Sequence, residues 1–527
     1  MLLNNKFKSV VLATAMLVGL NSCTKDFDKL NADPTRPTLD DPAIAAVAAN
    51  GLFSSAISKG LMEAGEFQRV QALYADLYSQ YHATAISYFN SDKYQMNQGW
   101  LDAGWTLFYP RDISNLVAII NSKYSSNNQK QIARIWKVFL FHRMVDFYGD
   151  IPYFNAGDPT KAEKWDSQQA IYTDFFKELT EADKAIDLSV AKSFDDKDVI
   201  YKGATAKWKA FGNSLRLRLA MRISKVDPAK AQTEAAAAIA AGVFASNSDN
   251  AFAAVNPILY NALNRITEWG EFRMSATMES LLVGTEDPRL PELMSPVEGT
   301  DVNYKGKFRG VLNALPGASF GIDDFKSANV SNVGPRFRRV NEGTNPRIVL
   351  TYAEMCFHIA ECKLNGWNIS PAGTTQDWYE KGIKASMAQF GIAAAKADAF
   401  VLSTKVPSLP SFPADYTDKR PVSTLPAKFS AVAAEQREQI SIQRYLAEYP
   451  DSFEGWSEFR RTGFPKLYKP AAVDPTSDVA PGQAIQRIPY TDNMRALNKD
   501  GVSAAESRMG VSSGLGQGVK LWFAGGK

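Results

Sequence analysis

Histidine and cysteine are scarce in this chain, with three of each among 527 residues. His82, His142 and His358 have no histidine or cysteine partner at ligand spacing, so the pattern argues against a zinc site, and no metal or cofactor is expected. The same scarcity removes one kind of nucleophilic catalysis. Gly510-Val511-Ser512-Ser513-Gly514 has the letters of a nucleophile elbow, but that mechanism needs a histidine after the serine, and none follows His358. The stretch reads instead as a flexible glycine-rich tail, with no helix N-terminus behind Gly514–Gly518 to hold a phosphate. Charge of one sign is also lacking: 59 Lys and Arg stand against 56 Asp and Glu, interspersed and without a basic tract, which argues against a nucleic-acid partner. Asp195-Asp196-Lys197-Asp198 lacks the glycine and closing glutamate of a calcium loop and reads as a solvated charge run. Cys356 and Cys362, six apart in a predicted helix, do not face one another and are expected to be small buried apolar residues.

What is present is a long helical chain. The stretch Ile132–Phe154 is its organising segment, with Ile132, Ile135, Trp136, Phe139, Met144 and Phe147 at helical spacing and Val138, Leu140, Phe141 and Val145 on the other sides. Gly149 and Pro152 end it, and Arg134, Lys137, His142 and Arg143 make it a poor membrane span. Helices are predicted over 43–60, 67–85, 105–121, 168–188, 202–223, 228–242, 352–365, 376–390, 431–449 and 453–462. Their recurrence in pairs roughly 35–45 residues apart suggests tetratricopeptide-like stacking without a strict repeat. The middle, Phe244–Pro346, has no long helical period and reads as a loop-rich irregular lobe with β-like pieces such as Val302–Phe308. The expected fold is therefore all-α: tetratricopeptide-like helix pairs carrying that lobe.

The N-terminus reads as a signal peptide over 1–22, with Lys6 and Lys8 before the apolar run Val10–Leu20, which is too short to span a bilayer. Leu20-Asn21-Ser22-Cys23 looks like a bacterial lipobox, in which Cys23 is acylated and becomes the mature N-terminus. Residues 23–42 then form a polar, lipidated tether, and 43–527 a single helical domain.

No catalytic constellation stands out. Glu354 and Glu361 lie on nearly one helical face, and paired carboxylates are what glycoside hydrolysis needs, but a solvated or ion-paired role is the expectation. The aromatic loops are more informative. Tyr88, Tyr94 and Trp100 stand among Asn90, Gln95, Asn97 and Gln98, and Trp269 stands in Glu268-Trp269-Gly270-Glu271-Phe272-Arg273. An aromatic face beside amides and carboxylates suits a sugar, which stacks its C–H face and hydrogen-bonds its hydroxyls. Tyr88, Tyr94, Trp100 and Trp269, on loops 84–104 and 258–273, are the candidate ligand-binding residues.

Several segments together resemble the SusD/RagB family of nutrient-binding outer-membrane lipoproteins. They are Cys23 followed by Asp26-Phe27-Asp28 and Asn31-Ala32-Asp33-Pro34, then Asp146-Phe147-Tyr148-Gly149-Asp150-Ile151-Pro152-Tyr153 and Asp287-Pro288-Arg289-Leu290. Leu350-Thr351-Tyr352-Ala353-Glu354 with Ala360-Glu361, Ser457-Glu458-Phe459-Arg460-Arg461-Thr462-Gly463, Arg487-Ile488-Pro489-Tyr490 and Leu521-Trp522-Phe523 complete the set in family order. Arg460-Arg461-Thr462-Gly463 suggests the divergent SusD-like branch. The resemblance implies one tetratricopeptide-like domain and aromatic ligand platforms on loops, here the loop before Trp105 and the one around Trp269. It also implies a lipid-anchored outer-membrane location facing the exterior. The implied partner is a SusC-like TonB-dependent barrel, to which captured oligosaccharide is passed. A peptide ligand with the same partner is the alternative, and a surface glycoside hydrolase a third reading.

Overall fold

The computed structural model describes residues 42–158, 163–256 and 259–527. The signal peptide, Cys23 and residues 24–41 of the tether lie outside the described residues. Helix α1 spans Pro42–Gly60. A helical run over 64–78 follows, π-wound between Phe67 and Ala75, and then strand β1, His82–Thr84. The predicted helix to Ala85 thus ends early, because Gln80 adopts a left-handed backbone, with φ of 57°. Helices α2 (Gln98–Leu107) and α3 (Ser114–Asn121) lead to the central helix α4, Asn127–Tyr148. Ser126 and Gln129 cap α4 reciprocally, each side chain accepting the other's backbone N–H. Gly149 ends the helix at φ 101°, where a methyl would overlap Met509.

Strands β2 (Ile151–Pro152) and β3 (Trp165–Asp166) pair as a short antiparallel ribbon. Helices α5 (Gln168–Ala185), α6 (Thr205–Arg222) and α7 (Pro228–Ala241) follow. The irregular lobe holds β4 (Ala251–Ala253), β5 (Phe272–Met274), helix α8 (Ala276–Val283) and β6 (Arg347–Leu350). Here β4 pairs with β6, and β5 with the distant β1; residues 302–308 form turns and coil, not a strand. Helices α9 (Tyr352–Leu364), α10 (Thr375–Gln389), α11 (Ala433–Glu448), α12 (Ser452–Thr462) and α13 (Lys499–Met509) complete the scaffold.

Consecutive helices pack on one another, α4 with α3 and α5, α6 with α7, α9 with α10 and α11, which is the helix-pair architecture expected. Helix α4 is enclosed by protein: Ile132, Trp136, Phe141 and Val145 are fully buried, and the Trp136 indole donates to the Ala56 carbonyl at 3.1 Å. The glycine-rich end is not a flexible tail. It follows directly on α13, and Leu521 and Phe523 are buried, with Phe523 under the guanidinium of Arg222 at 5.4 Å. Asp198 is also no solvated charge. It is buried and accepts from the Trp208 indole at 2.6 Å and the Gly203 N–H at 2.9 Å, closing the turn before α6.

An ionic network runs through the core where α4, α6, α9, α11 and α12 meet. Arg218 clasps Glu354 bidentately at 2.7 and 2.6 Å. Arg222 binds Asp146 at 3.0 Å and also Glu454 and Glu458, while Arg461 bridges Glu361 and Glu458 at 2.7 and 2.6 Å. All these side chains are buried. Burial pushes the Glu361 carboxyl up, but Arg461 and Arg444 outweigh it and hold the group at about 2. Glu354 is likewise held at about 2, burial being outweighed by Arg218 and a hydrogen bond from His358. His142, buried beside Arg218 and Arg222, is held well below the usual histidine range and is neutral. Glu354, Glu448 and Glu454 come within 4.8 Å of one another. Burial pushes Glu448 well above its usual value, and the neighbouring carboxylates add to this despite Arg444, so Glu448 is held toward its neutral form and repulsion within the trio is relieved.

Candidate functional site

The β1–β5 ribbon joins the two aromatic loops. Thr84 pairs with Phe272, and the Ala85 N–H donates to the Glu271 carbonyl at 2.8 Å, so the chain leaves β1 beside the segment that enters β5. Phe89 stacks on Phe272 with ring centroids 6.0 Å apart and an interplanar angle of 20°. Tyr88 and Trp100 meet Phe89 edge-on, at 4.8 and 5.6 Å. Phe89 is thus the buried hub of the cluster, and Tyr88 its outer ring, 64% exposed.

Glu271 is fixed between the loops. It accepts the Tyr88 hydroxyl at 3.0 Å and the Gln68 amide, from the π-wound segment, at 2.7 Å. Two residues earlier, Trp269 stands on a short turn ended by Gly270 at φ 80° and is 42% exposed. Glu268 beside it pairs with Arg338, which also binds Glu298 at 2.7 Å, so the turn is braced from the irregular lobe. The result is a positioned carboxylate bonded to an exposed tyrosine, with an exposed tryptophan two residues earlier in the chain, which offers ring faces and a strong acceptor to a polyhydroxylated ligand.

Two of the four candidate residues sit differently from the sequence reading. Trp100 is not in a loop: it lies in the first turn of α2, half-buried, its N–H capped by the Asn97 side chain at 3.1 Å. Tyr94 is buried at 7% exposure, on the inner side of the loop, with its ring 5.5 Å from Tyr78. Its left-handed backbone, φ 68°, turns the side chain inward, so Tyr94 belongs to the wall of an inner cavity and not to the outer platform. The sequence reading missed Phe89 as the hub and Gln68 as the brace of Glu271. Gln68 lies 203 residues from its partner, and no local pattern announces it. Glu354 and Glu361, the paired acids of the hydrolase reading, are sealed in the core by Arg218 and Arg461.

An α-helical scaffold of paired helices that holds aromatic loops on a two-stranded ribbon defines a fold of the tetratricopeptide-like class. Residues 30–524 match the SusD-like family described as Susd and RagB outer membrane lipoprotein, and the chain belongs to that family. Its fold is shared by a chitin-binding SusD homologue from Flavobacterium johnsoniae, 30% identical, with a TM-score of 0.80 over 90% of this chain and 98% of that one. A SusD homologue from Bacteroides vulgatus is 26% identical, with a TM-score of 0.81 over 91% and 98% of the two chains. A further chitin-binding protein is 27% identical, with a TM-score of 0.74 over 90% and 100%. No curated protein matches the sequence. Among the described residues no helix is long and apolar enough to cross a membrane.

Proposed function

We propose that this protein is a lipid-anchored binding module of the outer-membrane surface that captures oligosaccharide and passes it to a SusC-like TonB-dependent barrel, without catalysing a reaction itself. The observation that supports the ligand class is the carboxylate of Glu271, held by the Tyr88 hydroxyl and Gln68, with Tyr88 itself exposed and exposed Trp269 two residues earlier in the chain. Chitin binding by two proteins of the same fold supports a glycan, and chitooligosaccharides are the first ligands to test. Anchoring through acylated Cys23 is supported by the family's description as outer membrane lipoproteins and by the lipobox, and delivery to a barrel is what the SusD resemblance implies.

The test is calorimetric titration of Tyr88→Ala, Trp100→Ala and Trp269→Ala with an oligosaccharide panel, alongside their melting. An exposed stacking ring costs binding about 1–3 kcal/mol and little stability, so Tyr88→Ala and Trp269→Ala should bind weakly and melt normally. Half-buried Trp100 should lose both. Undiminished binding in the Tyr88→Ala/Trp269→Ala double variant would move the site elsewhere, and binding of peptides in place of glycans would change the ligand class. Steady product release abolished by a single Glu or Asp substitution would establish a hydrolase.

A further inference from the structure

A second pocket lies behind the same loop. A cavity of about 320 Å³ opens between segments 418–420, 467–470 and 482–485, with Tyr78, Asp92, Tyr94 and Asn313 in its wall. That is the small end of the roughly 300–1,000 Å³ usual for small-molecule sites, room for a small ligand and not for a chain. Asp92 is 3% exposed. Its Oδ2 accepts the Thr84 hydroxyl at 2.6 Å and the Ala314 N–H at 2.9 Å, while its Oδ1 is buried without a partner. Leaving a buried carboxylate oxygen bare is unfavourable, and native folds seldom do so without a purpose. Burial raises the Asp92 carboxyl above its usual value, against the hydrogen bonds from Thr84 and Ala314.

The backbone around this carboxylate is strained. Among the described residues six that are not glycine have a positive φ; two of them, Gln80 and Tyr94, line the cavity, and a third, Ala314, donates its N–H to Asp92. Each is held in place from elsewhere in the chain. Gln517 donates to the Tyr94 carbonyl at 2.7 Å, and the Gln80 side chain binds Thr277 at 2.6 Å and both backbone groups of Tyr468. Strain gathered about a cavity marks a ligand site more than a packing defect, because it must be maintained by several independent contacts. Asp418 and Arg420 pair at the rim at 2.9 Å, so the charge there is balanced. An anion would face the bare Asp92 oxygen and a cation would face Arg420 and Lys469 in the lining, which favours a neutral ligand with hydroxyl donors.

We propose that this cavity is a second carbohydrate subsite that takes a single saccharide unit, one hydroxyl donating to Asp92 Oδ1 and the ring resting against Tyr94. Its ligand class rests on the glycan reading above, but its residues are separate from the Tyr88–Trp269 platform. The test is saturation-transfer NMR on the full chain in detergent, with N-acetylglucosamine, glucose and galactose as probes. Four proteins are compared: wild type, Asp92→Asn, Ala484→Trp and Tyr88→Ala/Trp269→Ala. Asparagine keeps an acceptor for Thr84 and Ala314 and replaces the free oxygen by an amide NH2. Ala484, half-buried at the mouth, can carry a plug without touching that arrangement.

The expected result is binding of at least one sugar by wild type and by the platform double variant. Asp92→Asn should weaken it about tenfold or more, and Ala484→Trp should abolish it, with native melting in both. No signal from any sugar with wild type overturns the proposal, as does binding retained by both pocket variants. Signal lost in the platform variant and kept in the pocket variants places the sugar on the platform, so the functional reading stands and this one falls. Sugar in the pocket without oligosaccharide binding at Tyr88 and Trp269 does the reverse.

Discussion

Replacing Arg222 by methionine tests whether the buried ionic network holds the helices together. Arg222 is fully buried at the end of α6 and touches three carboxylates, Asp146, Glu454 and Glu458. Methionine keeps most of the volume, so the cavity contribution stays small. Glu458 retains Arg444 and Arg461, and Glu454 retains Arg218 at 3.5 Å, whereas Asp146 keeps only the Tyr172 hydroxyl at 2.5 Å. Removing one partner of a buried pair costs about 3–5 kcal/mol, and the poor compensation at Asp146 places this variant in that range. The Asp146 carboxyl already stands at about 6, raised by burial against the pull of Arg222. Without Arg222 it rises further. A carboxyl raised in the folded state takes up its proton there before it does in the unfolded chain, so the deficit should grow as pH increases from 5 to 8. Urea unfolding at several pH values reads both quantities, and Asp146→Asn in the same chain should restore part of the loss. A loss below about 1 kcal/mol, or one indifferent to pH and to Asp146→Asn, would refute the reasoning.

Glu361 and Glu354, held at about 2, are depressed from a usual value of 4.5, so the stability they confer is present above about pH 4.5 and is lost as pH falls toward 2. Melting temperature should therefore fall steeply in that window, and Glu361→Gln should flatten the fall while lowering stability at neutral pH. Gly203→Ala should cost more than about 2 kcal/mol, because the residue has φ 77° and its methyl would overlap the Phe194 carbonyl; a normal urea midpoint would contradict this. Cys23→Ala should release the protein from the membrane fraction, and a variant that stays bound with unchanged mass labelling would remove the lipid anchor.

The scaffold was legible in the sequence because its period and its stops are local. The helix α4 declares itself through apolar residues on every side and through Gly149, and observed helix ends mostly fall within a few residues of those expected. The short motifs that carry the family resemblance prove to be core chemistry: Asp146, Glu354, Glu361, Glu458 and Arg461 form the ionic network, and Asp287 grips Arg289 at 2.7 Å with both buried. The candidate site was less legible. Tyr88 and Tyr94 look alike in sequence, both among polar neighbours on an aperiodic loop. What turns Tyr94 inward is its left-handed backbone, held by Gln517, 423 residues away, whose side chain donates to the Tyr94 carbonyl. The end of the chain misled for a related reason. Its glycines suggest mobility, but Gly510, Gly514, Gly516 and Gly525 all adopt positive φ in turns that return the chain to the core.

That return has a consequence in time. The Arg222 guanidinium does not meet the ring of Phe523 until the end of the chain is made, and roughly 300 residues separate the two. Synthesis at about 5–20 residues per second spends some 15–60 s on that interval. Throughout it Arg222 lacks that aromatic contact. A chain whose last segment finishes its core cannot complete that core until its synthesis is nearly over.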